Sequence, residues 1–309
     1  MPLNKQLDVL FVSADSSIQA YQELAKTYSA IEPPTWALLL AQSCRSKGFE
    51  AGILDCTAER LSMAQSVERI NEANPRLVCF VVYGQNPNSG TTNMIGNTQL
   101  ADMLKEQYPE YQTCFVGSHM SALPLQVLED HEGVDIVLYN EGVYALHNLL
   151  SSNLTDEDVT KIRGIGHKLN GKPMLNAPEK VVPQERMDID LPGYAWDLLP
   201  YDKRPLDLYR SHFWHTEYEH EKRTPFAAVY TSLGCRFKCD FCMINIVNRD
   251  SDANDTVSAH SSHMRYWSPE FMLKEFDKLA EMGTETIRIS DEMFFLDKRY
   301  YEPLLNGLI

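Results

Sequence analysis

Hydrophobic positions in the first half of the chain form short apolar runs, separated by longer stretches with helical spacing. The predicted strands are Asp8–Val12, Ala51–Leu54, Leu77–Tyr83, Thr113–Val116 and Val134–Leu138. Leu77–Tyr83 (LVCFVVY) is continuously apolar, as in a central parallel strand that is buried on both faces. The predicted helices between them are Thr35–Lys47, Ser62–Glu72 and Asn97–Gln107. This alternation predicts an α/β fold built on a doubly wound parallel sheet.

The loops that follow these strands are polar. They are Ser13–Ser17, Gly84–Thr92, Gly117–Ser121 and Asn140–Gly142. Ligands of doubly wound sheets bind beyond the carboxyl ends of the strands, so these loops predict a ligand site. The alternative is that they are only polar turns. No G-x-G-x-x-G motif follows the first strand, so the sequence has no dinucleotide fingerprint.

The middle of the chain is less regular. Asn153–Asp158 is predicted to cap a short helix. Ile162–Leu169 and Lys172–Leu175 are predicted to pair as a hairpin, with a type I′ turn at Asn170–Gly171. Aromatic residues and histidines then crowd into Tyr209–Tyr218, which is interpreted as a packing seam or a cover for a ligand.

A second β/α pattern begins near the end of the chain. Phe226–Thr231 is predicted as a strand, and a long polar loop covers Met243–Met264. A helix is predicted to run to Glu281, with Ser268 as its N-cap and a proline in its first turn, and Thr286–Ser290 is predicted as the next strand. Because two strands cannot close a barrel, we expect the barrel to continue beyond Ile309 or to be completed by another chain.

Composition limits the function classes. The chain has 309 residues, of which 44% are hydrophobic and 23% charged, as in globular proteins. No apolar run approaches the ~20 residues that cross a bilayer, and the N-terminus does not resemble a signal peptide. The cysteines are an odd number, seven, so we expect a cytoplasmic protein without a disulfide framework or a membrane contact. The net charge of −15 argues against nucleic acid as a partner.

The strongest chemical signal is LGCRFKCDFC, which spans Leu233–Cys242. Its close spacing lets one loop turn the thiolates of Cys235, Cys239 and Cys242 toward a single point. An iron–sulfur cluster normally takes four cysteines, so three would leave one iron open to a small molecule. The alternative from the residues alone is a structural zinc site with His260 or His263 as fourth ligand.

This motif resembles that of the radical S-adenosylmethionine (SAM) enzymes, and the wider sequence resembles their cobalamin-binding members. Phe115–Pro124 (FVGSHMSALP) is similar to a Gly-Gly-x-His-x-Ser-x-x-Pro stretch of that family. Val137–Leu150 is similar to its strand and G-E-G-E turn, with Asn140 in place of the first glycine. The linker sequence Ala195–Pro200 (AWDLLP) also fits this family.

The resemblance implies three regions. Residues 1–150 would be a cobalamin-binding-like Rossmann (flavodoxin-like) domain, and residues 151–223 a linker with a small hairpin. Residues 224–309 would be the N-terminal part of a radical SAM β/α partial barrel, which looks truncated.

The resemblance also implies cofactors and site residues, although it assigns no catalytic residue. Cys235, Cys239 and Cys242 would hold a [4Fe–4S] cluster, and Phe241, Asp291 and Glu292 would contact SAM. Residues expected to bind cobalamin are Ser13, Asp15, Gly84, Gln85, Ser89, Thr91, Gly117, Ser118, His119, Glu141 and Gly142. Partners would be a small-molecule substrate and an electron donor such as flavodoxin or ferredoxin.

One family feature is missing. The D-x-H-x-x-G motif that supplies a histidine to cobalt in other cobalamin proteins is absent, because Ser17 stands where the histidine would be. Cobalamin would then be bound without that ligand, or the domain would persist as a scaffold. His119 is the other candidate ligand, but it is predicted to be a loop histidine that hydrogen-bonds within its own turn.

The function implied is methyl transfer to an unactivated centre of a small metabolite. One alternative is a radical SAM cyclase or rearrangement enzyme with a vestigial cobalamin domain. A second is a tRNA methylthiotransferase, which needs three further cysteines at the mouth of the first sheet, whereas Cys44 and Cys79 fall inside predicted elements. A third is a non-catalytic zinc module with three cysteines and one histidine as ligands.

Replacing one cysteine distinguishes iron–sulfur binding from zinc binding. Anaerobic reconstitution with iron and sulfide should give a cluster in the wild type that is lost in Cys239→Ala, because three thiolates are the minimum ligand set here. Iron, sulfide and zinc contents, with the visible absorption spectrum, provide the measurement. A protein that stays fully loaded with zinc and takes up no iron would contradict the cluster hypothesis.

Overall fold

A seven-stranded sheet forms the body of the first half of the chain. The structure is a computed structural model that describes residues 6–17, 22–24, 30–84, 87–200, 209–210, 225–237, 239–244 and 263–309. The parallel strands are β1 (Val9–Ser13), β2 (Ala51–Asp55), β3 (Leu77–Val82), β4 (Gln112–Gly117) and β5 (Ile136–Leu138). Their order in the sheet is β2-β1-β3-β4-β5. The chain adds β2 on one side of β1 and then β3 to β5 on the other side, so the switch point lies between β1 and β3. The predicted doubly wound sheet is confirmed.

Helices cover both faces of this sheet. They are α1 (Thr35–Ser46), α2 (Met63–Ala73), α3 (Met94–Gln107), α4 (Ser118–Ala122), α5 (Pro124–Asp130) and α6 (Val143–Leu150). Alternate residues of β1 enter two separate cores: Val9 and Phe11 pack in one, while Leu10 and Val12 pack in the other. The first core includes α1 and α6, and the second includes residues of α2 and α3. Burial on both faces explains the continuously apolar strands.

The predicted hairpin extends the sheet. After the short α7 (Asp156–Val159), strands β6 (Ile165–Leu169) and β7 (Lys172–Leu175) pair antiparallel, and β6 also pairs antiparallel with β5. Asn170 and Gly171 have φ values of 51° and 73°, as a type I′ turn requires. The sequence predicted the hairpin but not its pairing with β5, which depends on a partner far away in the chain.

The last third forms a second, smaller α/β unit. A short helix α8 (Met187–Asp190) lies in the connector, followed by β8 (Phe226–Val229), β9 (Ser232–Leu233) and β10 (Arg265–Tyr266). Helix α9 (Pro269–Glu281), strand β11 (Thr286–Ile289) and helix α10 (Lys298–Gly307) complete it. β8 and β11 pair in parallel, while β9 and β10 pair antiparallel. Ser268 caps α9 by accepting a hydrogen bond from the Phe271 amide at 3.2 Å, as predicted.

Direct backbone contacts join the two units. Ile31, ahead of α1, bridges to Arg210, and Arg210 bridges in turn to Pro225 at the start of β8. The Thr35 hydroxyl donates to the carbonyl of Ala228 in β8 at 3.1 Å. A segment of the first unit therefore runs beside the second sheet, and the two sheets share one core that includes Phe11 and Ala227.

A buried ion pair fixes this arrangement. Glu141, directly after β5, pairs with Arg265 of β10, and their side chains are 2% and 6% exposed. The second Glu141 oxygen accepts the Val182 amide at 3.0 Å, and Arg265 donates to the Val182 carbonyl at 2.7 Å. One residue each from the first sheet, the connector and the second unit thus meet at one point.

Every helix within the described ranges is too short or too polar to span a lipid bilayer.

Removing the charge of Glu141 should destabilise the protein strongly. In Glu141→Gln the Arg265 guanidinium stays buried without its counter-ion, which costs roughly 3–5 kcal/mol of unfolding free energy. Urea unfolding followed by circular dichroism measures the loss. The matched control is Glu157→Gln, whose ion pair with Lys161 is exposed and should leave the midpoint unchanged. Equal midpoints for the two variants would contradict a central role for the buried pair.

Candidate functional site between the two sheets

The carboxyl ends of both parallel sheets open into one cavity of about 310 Å³. The first sheet and its loops contribute Ser13, Asp15, Asp55, Tyr83, Gly84, Thr92, Asn93 and Asn97, and the second unit contributes Tyr230, Arg288 and Ser290. Glu32, which precedes α1, and Thr35, the first residue of α1, also form part of the wall. The cavity lies at the switch point between β1 and β3, where a doubly wound sheet binds its ligands.

The loop after β1 is held rigidly by the beginning of α3. The Ala14 amide donates to the Asn97 side chain at 3.2 Å. The Ser16 hydroxyl donates to the Asn93 carbonyl and accepts from the Gly96 amide, both at 3.1 Å. Helix α3 begins at Met94, three residues before the predicted start, and this extra turn supplies these contacts. Asn93 and Asn97 were not predicted as site residues, because their role depends on the packing of α3 against β1.

Two acidic side chains of the cavity are shielded from water. Burial raises the pKa of Asp55 to about 7, although its carboxylate accepts the Ala58 amide at 3.1 Å and the Tyr209 hydroxyl at 3.0 Å. Burial also raises the pKa of Glu32, despite a bidentate pair with Arg288 in which one N–O distance is 3.1 Å. Arg288 is the charged residue of the TIRIS strand, which was the sequence signal that could have identified it.

Aromatic rings form the apolar part of the cavity wall. Trp36, in the first turn of α1, stacks on Tyr83 with centroids 4.7 Å apart, and its ring lies 6.1 Å from that of Tyr230. Tyr83 follows β3 and Tyr230 follows β8, so the three rings connect the ends of the two sheets. The cavity therefore combines an aromatic wall with polar loops.

The structure places the predicted cobalamin residues in different surroundings. Ser13, Asp15 and Gly84 line the cavity. Thr91 and His119 are hydrogen-bonded to each other at 3.0 Å across neighbouring loops, so His119 does not bond within its own turn as predicted. Burial lowers the pKa of His119. Gly117 and Ser118 are buried at the β4–α4 junction, while Gln85 and the Ser89 side chain lie outside the described residues.

Glu141 and Gly142, which were also predicted to bind cobalamin, take part in the fold instead. Both Glu141 oxygens are used by Arg265 and Val182, so this side chain is engaged away from the cavity. Gly142 is the αL residue that precedes α6. Asn140 adopts φ 63°, a value that glycine reaches easily and asparagine tolerates, which accounts for its replacement of the usual glycine.

The cysteine loop begins from a buried anchor. Cys235 is 8% exposed and accepts the Phe237 amide at 3.4 Å, whereas Cys239 is exposed. The Cys242 amide donates to the Cys239 carbonyl at 3.0 Å, which makes a tight turn. Burial, together with the charges of Cys235 and Cys239, raises the pKa of Cys242.

Residues predicted to contact SAM occupy different surroundings. Phe241 is 81% exposed beside the cysteines. Burial and the adjacent Asp291 raise the pKa of Glu292 to about 7, and the Glu292 charge acts on Cys242. The Asp291 carboxylate instead accepts three hydrogen bonds from Thr231 and Ser232.

The donor set of the cysteine loop is compatible with an iron–sulfur cluster. Among the described residues, no group of three His, Cys, Asp or Glu side chains converges closely enough to hold a metal ion as the loop stands. His263 is exposed, and His260 lies outside the described residues. Three soft thiolates on one loop are a ligand type that iron–sulfur clusters use, and zinc also accepts thiolates.

The cysteines of the first unit do not form a second cluster site. Cys44, Cys79 and Cys114 are fully buried in the core. Cys56 follows β2 but is also buried, which raises the pKa of its thiol to about 12. A methylthiotransferase needs three reactive cysteines at the mouth of this sheet, so the buried positions weigh against that alternative.

Residues 23–150 match the B12 binding domain family. Among curated proteins, the chain is 25% identical over 268 residues to the uncharacterized methyltransferase PH0819 of Pyrococcus horikoshii, covering 86% of this chain and 50% of that protein. It is also 26% identical over 206 residues to the cobalamin-dependent radical SAM methyltransferase TokK of Streptomyces tokunonensis, covering 66% of this chain and 26% of that protein. The chain spans half or less of the length of these relatives.

Solved structures show the same fold. The radical SAM methyltransferase TsrM from Kitasatospora setae, with cobalamin and a [4Fe–4S] cluster bound, superposes with a TM-score of 0.64 at 16% identity. This superposition covers 98% of this chain and 51% of TsrM. A second TsrM structure, with tryptophan substrate and a SAM analogue, gives a TM-score of 0.63 at 16% identity over 98% of this chain and 51% of TsrM. The family resemblance inferred from the sequence is confirmed, and the predicted cofactors are those that these neighbours hold.

The buried Asp55 predicts an unusual pH dependence. The folded carboxyl ionises near pH 7 and the unfolded one near pH 4, so between these values only the folded state keeps the proton. This contribution to stability is therefore present below pH 4 and is lost as pH rises to about 7. Asp55→Asn cannot ionise, so its stability relative to wild type should rise by on the order of 4 kcal/mol across this window.

Urea unfolding of both proteins at pH 5 and pH 8 tests this expectation. Asp135→Asn is a suitable control, because Asp135 is a partly exposed carboxylate that pairs with Lys105. If the difference in unfolding free energy between wild type and Asp55→Asn is the same at pH 5 and pH 8, the pKa of Asp55 is not raised.

Proposed function

We propose that this chain, which is similar to cobalamin-dependent radical SAM methyltransferases, acts in a cobalamin-dependent radical SAM enzyme. The proposed reaction is transfer of a methyl group from SAM to an unactivated carbon or phosphorus of a small metabolite. The observation that supports it most is the cavity between the carboxyl ends of the two sheets, which residues of the first sheet line together with Tyr230, Arg288 and Ser290 of the second unit. Two cofactors that must exchange a group need such a shared space.

The cysteine loop of the second unit would hold a cluster with SAM. Cys235, Cys239 and Cys242 would ligate three irons, and Glu292 would meet the SAM ammonium. The raised pKa of Glu292 supports this role. A buried carboxylate is costly to ionise by itself, so a cationic partner stabilises its charged form strongly. Phe241 is exposed next to these residues and would cover an apolar surface of the bound molecules.

The first sheet offers a surface suited to cobalamin. The rim of the corrin ring carries many amide groups, and Ser13, Thr92 and Asn93 are polar residues of the cavity wall. The buried Ser118 hydroxyl has no hydrogen-bond partner among the described residues, which leaves a donor beneath the neighbouring loop. These neutral groups suit a large, amide-rich ligand better than a phosphate-rich dinucleotide.

Bound cluster and cobalamin would supply the electron-transfer and methyl-transfer chemistry. The residues of this chain would position SAM, the corrin and the substrate and would exclude water from the cavity. A one-electron donor such as flavodoxin or ferredoxin is also required. The TsrM structure with tryptophan as substrate supports a small molecule as the class of acceptor.

The products formed from SAM distinguish the proposed reaction from its rivals. The reconstituted protein is incubated with cobalamin, SAM and dithionite, and the products are separated by chromatography. Methyl transfer forms S-adenosylhomocysteine, whereas a cyclase or rearrangement enzyme forms 5′-deoxyadenosine alone. Formation of neither product by a cluster-loaded protein would contradict the proposal. Cys239→Ala is the inactive control.

Blocking the cavity should abolish cobalamin binding. Thr92 lies exposed on the cavity wall, so Thr92→Trp should fill the space and weaken hydroxocobalamin binding at least about tenfold. The measurement is the cobalamin absorbance that stays with the protein after gel filtration. Thr160→Trp adds the same ring at an exposed position of the connector and should bind like wild type. Retention by Thr92→Trp equal to that of Thr160→Trp would place cobalamin elsewhere.

A further inference from the structure

The strand that leads to the cysteine loop changes partners just before the loop. β8 pairs in parallel with β11 up to Val229, and the Ser290 amide donates to the Val229 carbonyl at 2.7 Å. From Ser232 onward the chain pairs antiparallel with β10 instead. The polar groups at this change of sheet need other partners, because buried backbone groups are costly when left unpaired.

Asp291 provides those partners from one side. Its carboxylate accepts hydrogen bonds from the Thr231 amide, the Thr231 hydroxyl and the Ser232 hydroxyl, each at 2.6 Å. Hydrogen bonds to an ionised acceptor are shorter and stronger than neutral ones. The side chain of Asp291 thus replaces the β11 ladder at the point where that ladder ends.

Two buried aromatic residues hold the other side. The Thr231 carbonyl accepts the Tyr300 hydroxyl at 2.7 Å and the Trp267 amide at 3.3 Å. Tyr300 belongs to α10, and Trp267 follows β10. Thr231 is therefore held by four hydrogen bonds from three separate segments.

The bend restricts the first cysteine more than the other two. Leu233 pairs with Arg265, and Gly234 has φ 91° and packs so closely that a Cβ atom would lie 2.3 Å from the His263 carbonyl oxygen. Cys235 follows directly and is buried, whereas Cys239 is exposed and Cys242 half-buried. Cys235 is thus the fixed member of the set, and the other two can adjust around it.

We propose that Asp291 is a positioning residue that fixes the Thr231–Ser232 bend and thereby places the Cys235 thiolate, rather than a contact for SAM. The three hydrogen bonds use both of its carboxylate oxygens. The ammonium of SAM is left to Glu292. The identity of the group that Cys235 would hold rests on the proposed function. The placement of Cys235 by Asp291 does not rest on it.

Alkylation of the cluster-free protein tests the placement directly. Native protein is treated with iodoacetamide, quenched, and digested with trypsin. Cleavage after Arg236 and Lys238 separates Cys235 from the peptide that carries Cys239 and Cys242. Asp291→Asn replaces one acceptor oxygen by an N–H donor, so the bend should open more often and Cys235 should react about tenfold faster. The peptide with Cys239 should change less than about twofold.

Two further variants control the result. Asp297→Asn makes the same change nearby, but Asp297 bonds to Arg299 at the start of α10, so Cys235 should react as in wild type. Thr231→Val keeps the backbone bond to Asp291 and removes the hydroxyl bond, so it should accelerate Cys235 by a smaller factor. If Asp291→Asn unfolds, Thr231→Val decides the question. The proposal fails if Cys235 keeps its wild-type rate in Thr231→Val or in a folded Asp291→Asn.

Iron binding separates this inference from the proposed function. A wild type that takes up no iron and sulfide would contradict the proposed function and leave the alkylation result standing. In a wild type that does take up a cluster, Asp291→Asn should change the electron paramagnetic resonance spectrum of the reduced cluster, because the first ligand is displaced and a buried negative charge is lost. If Asp291→Asn changes neither this spectrum nor the alkylation rate of Cys235, the inference about Asp291 is overturned and the proposed function still stands.

Discussion

The ion pair between Glu141 and Arg265 is the interaction on which the relation of the two sheets depends. It is almost fully buried, and it includes the Val182 backbone from the connector. A buried charge pair is stable only when its hydrogen-bonding groups are nearly all satisfied, which permits very little change in geometry. Because Arg265 also pairs with Leu233 in the strand before Cys235, the pair connects the first sheet to the cysteine loop.

The same constraint shapes the cavity. Tyr83 and Tyr230 meet Trp36 only because the carboxyl ends of β3 and β8 face each other across the cavity. The Glu32–Arg288 pair closes one side, and the Asp55–Tyr209 contact lies at the end of β2. The Glu32–Arg288, Asp55–Tyr209 and Trp36–Tyr230 contacts each join residues more than a hundred positions apart in the chain, so the cavity exists only in the assembled protein.

The cysteine loop combines a rigid start with an adaptable end. Asp291, Tyr300 and Trp267 fix the bend at Thr231, while Cys239 and Phe241 lie in solvent. A loop built this way can close on a cluster without rebuilding the strand that supports it. Preorganising one ligand lowers the entropy that must be lost when the other ligands close. The proposed function and the proposed role of Asp291 therefore rest on separate features of one loop.

The sequence alone determined the doubly wound sheet, the hairpin and the cysteine motif. Strand burial, an Asn-Gly turn and the spacing of Cys235, Cys239 and Cys242 are local properties, which periodicity and turn chemistry reveal. Tertiary structure decided which polar residues serve a site and which serve the fold. Glu141 and Asp291 both follow strands, as ligand-binding residues do, yet the Glu141 oxygens bond to Arg265 and Val182, and the Asp291 oxygens bond to Thr231 and Ser232. Those partners come from distant segments, and no local pattern encodes where a folded chain brings them.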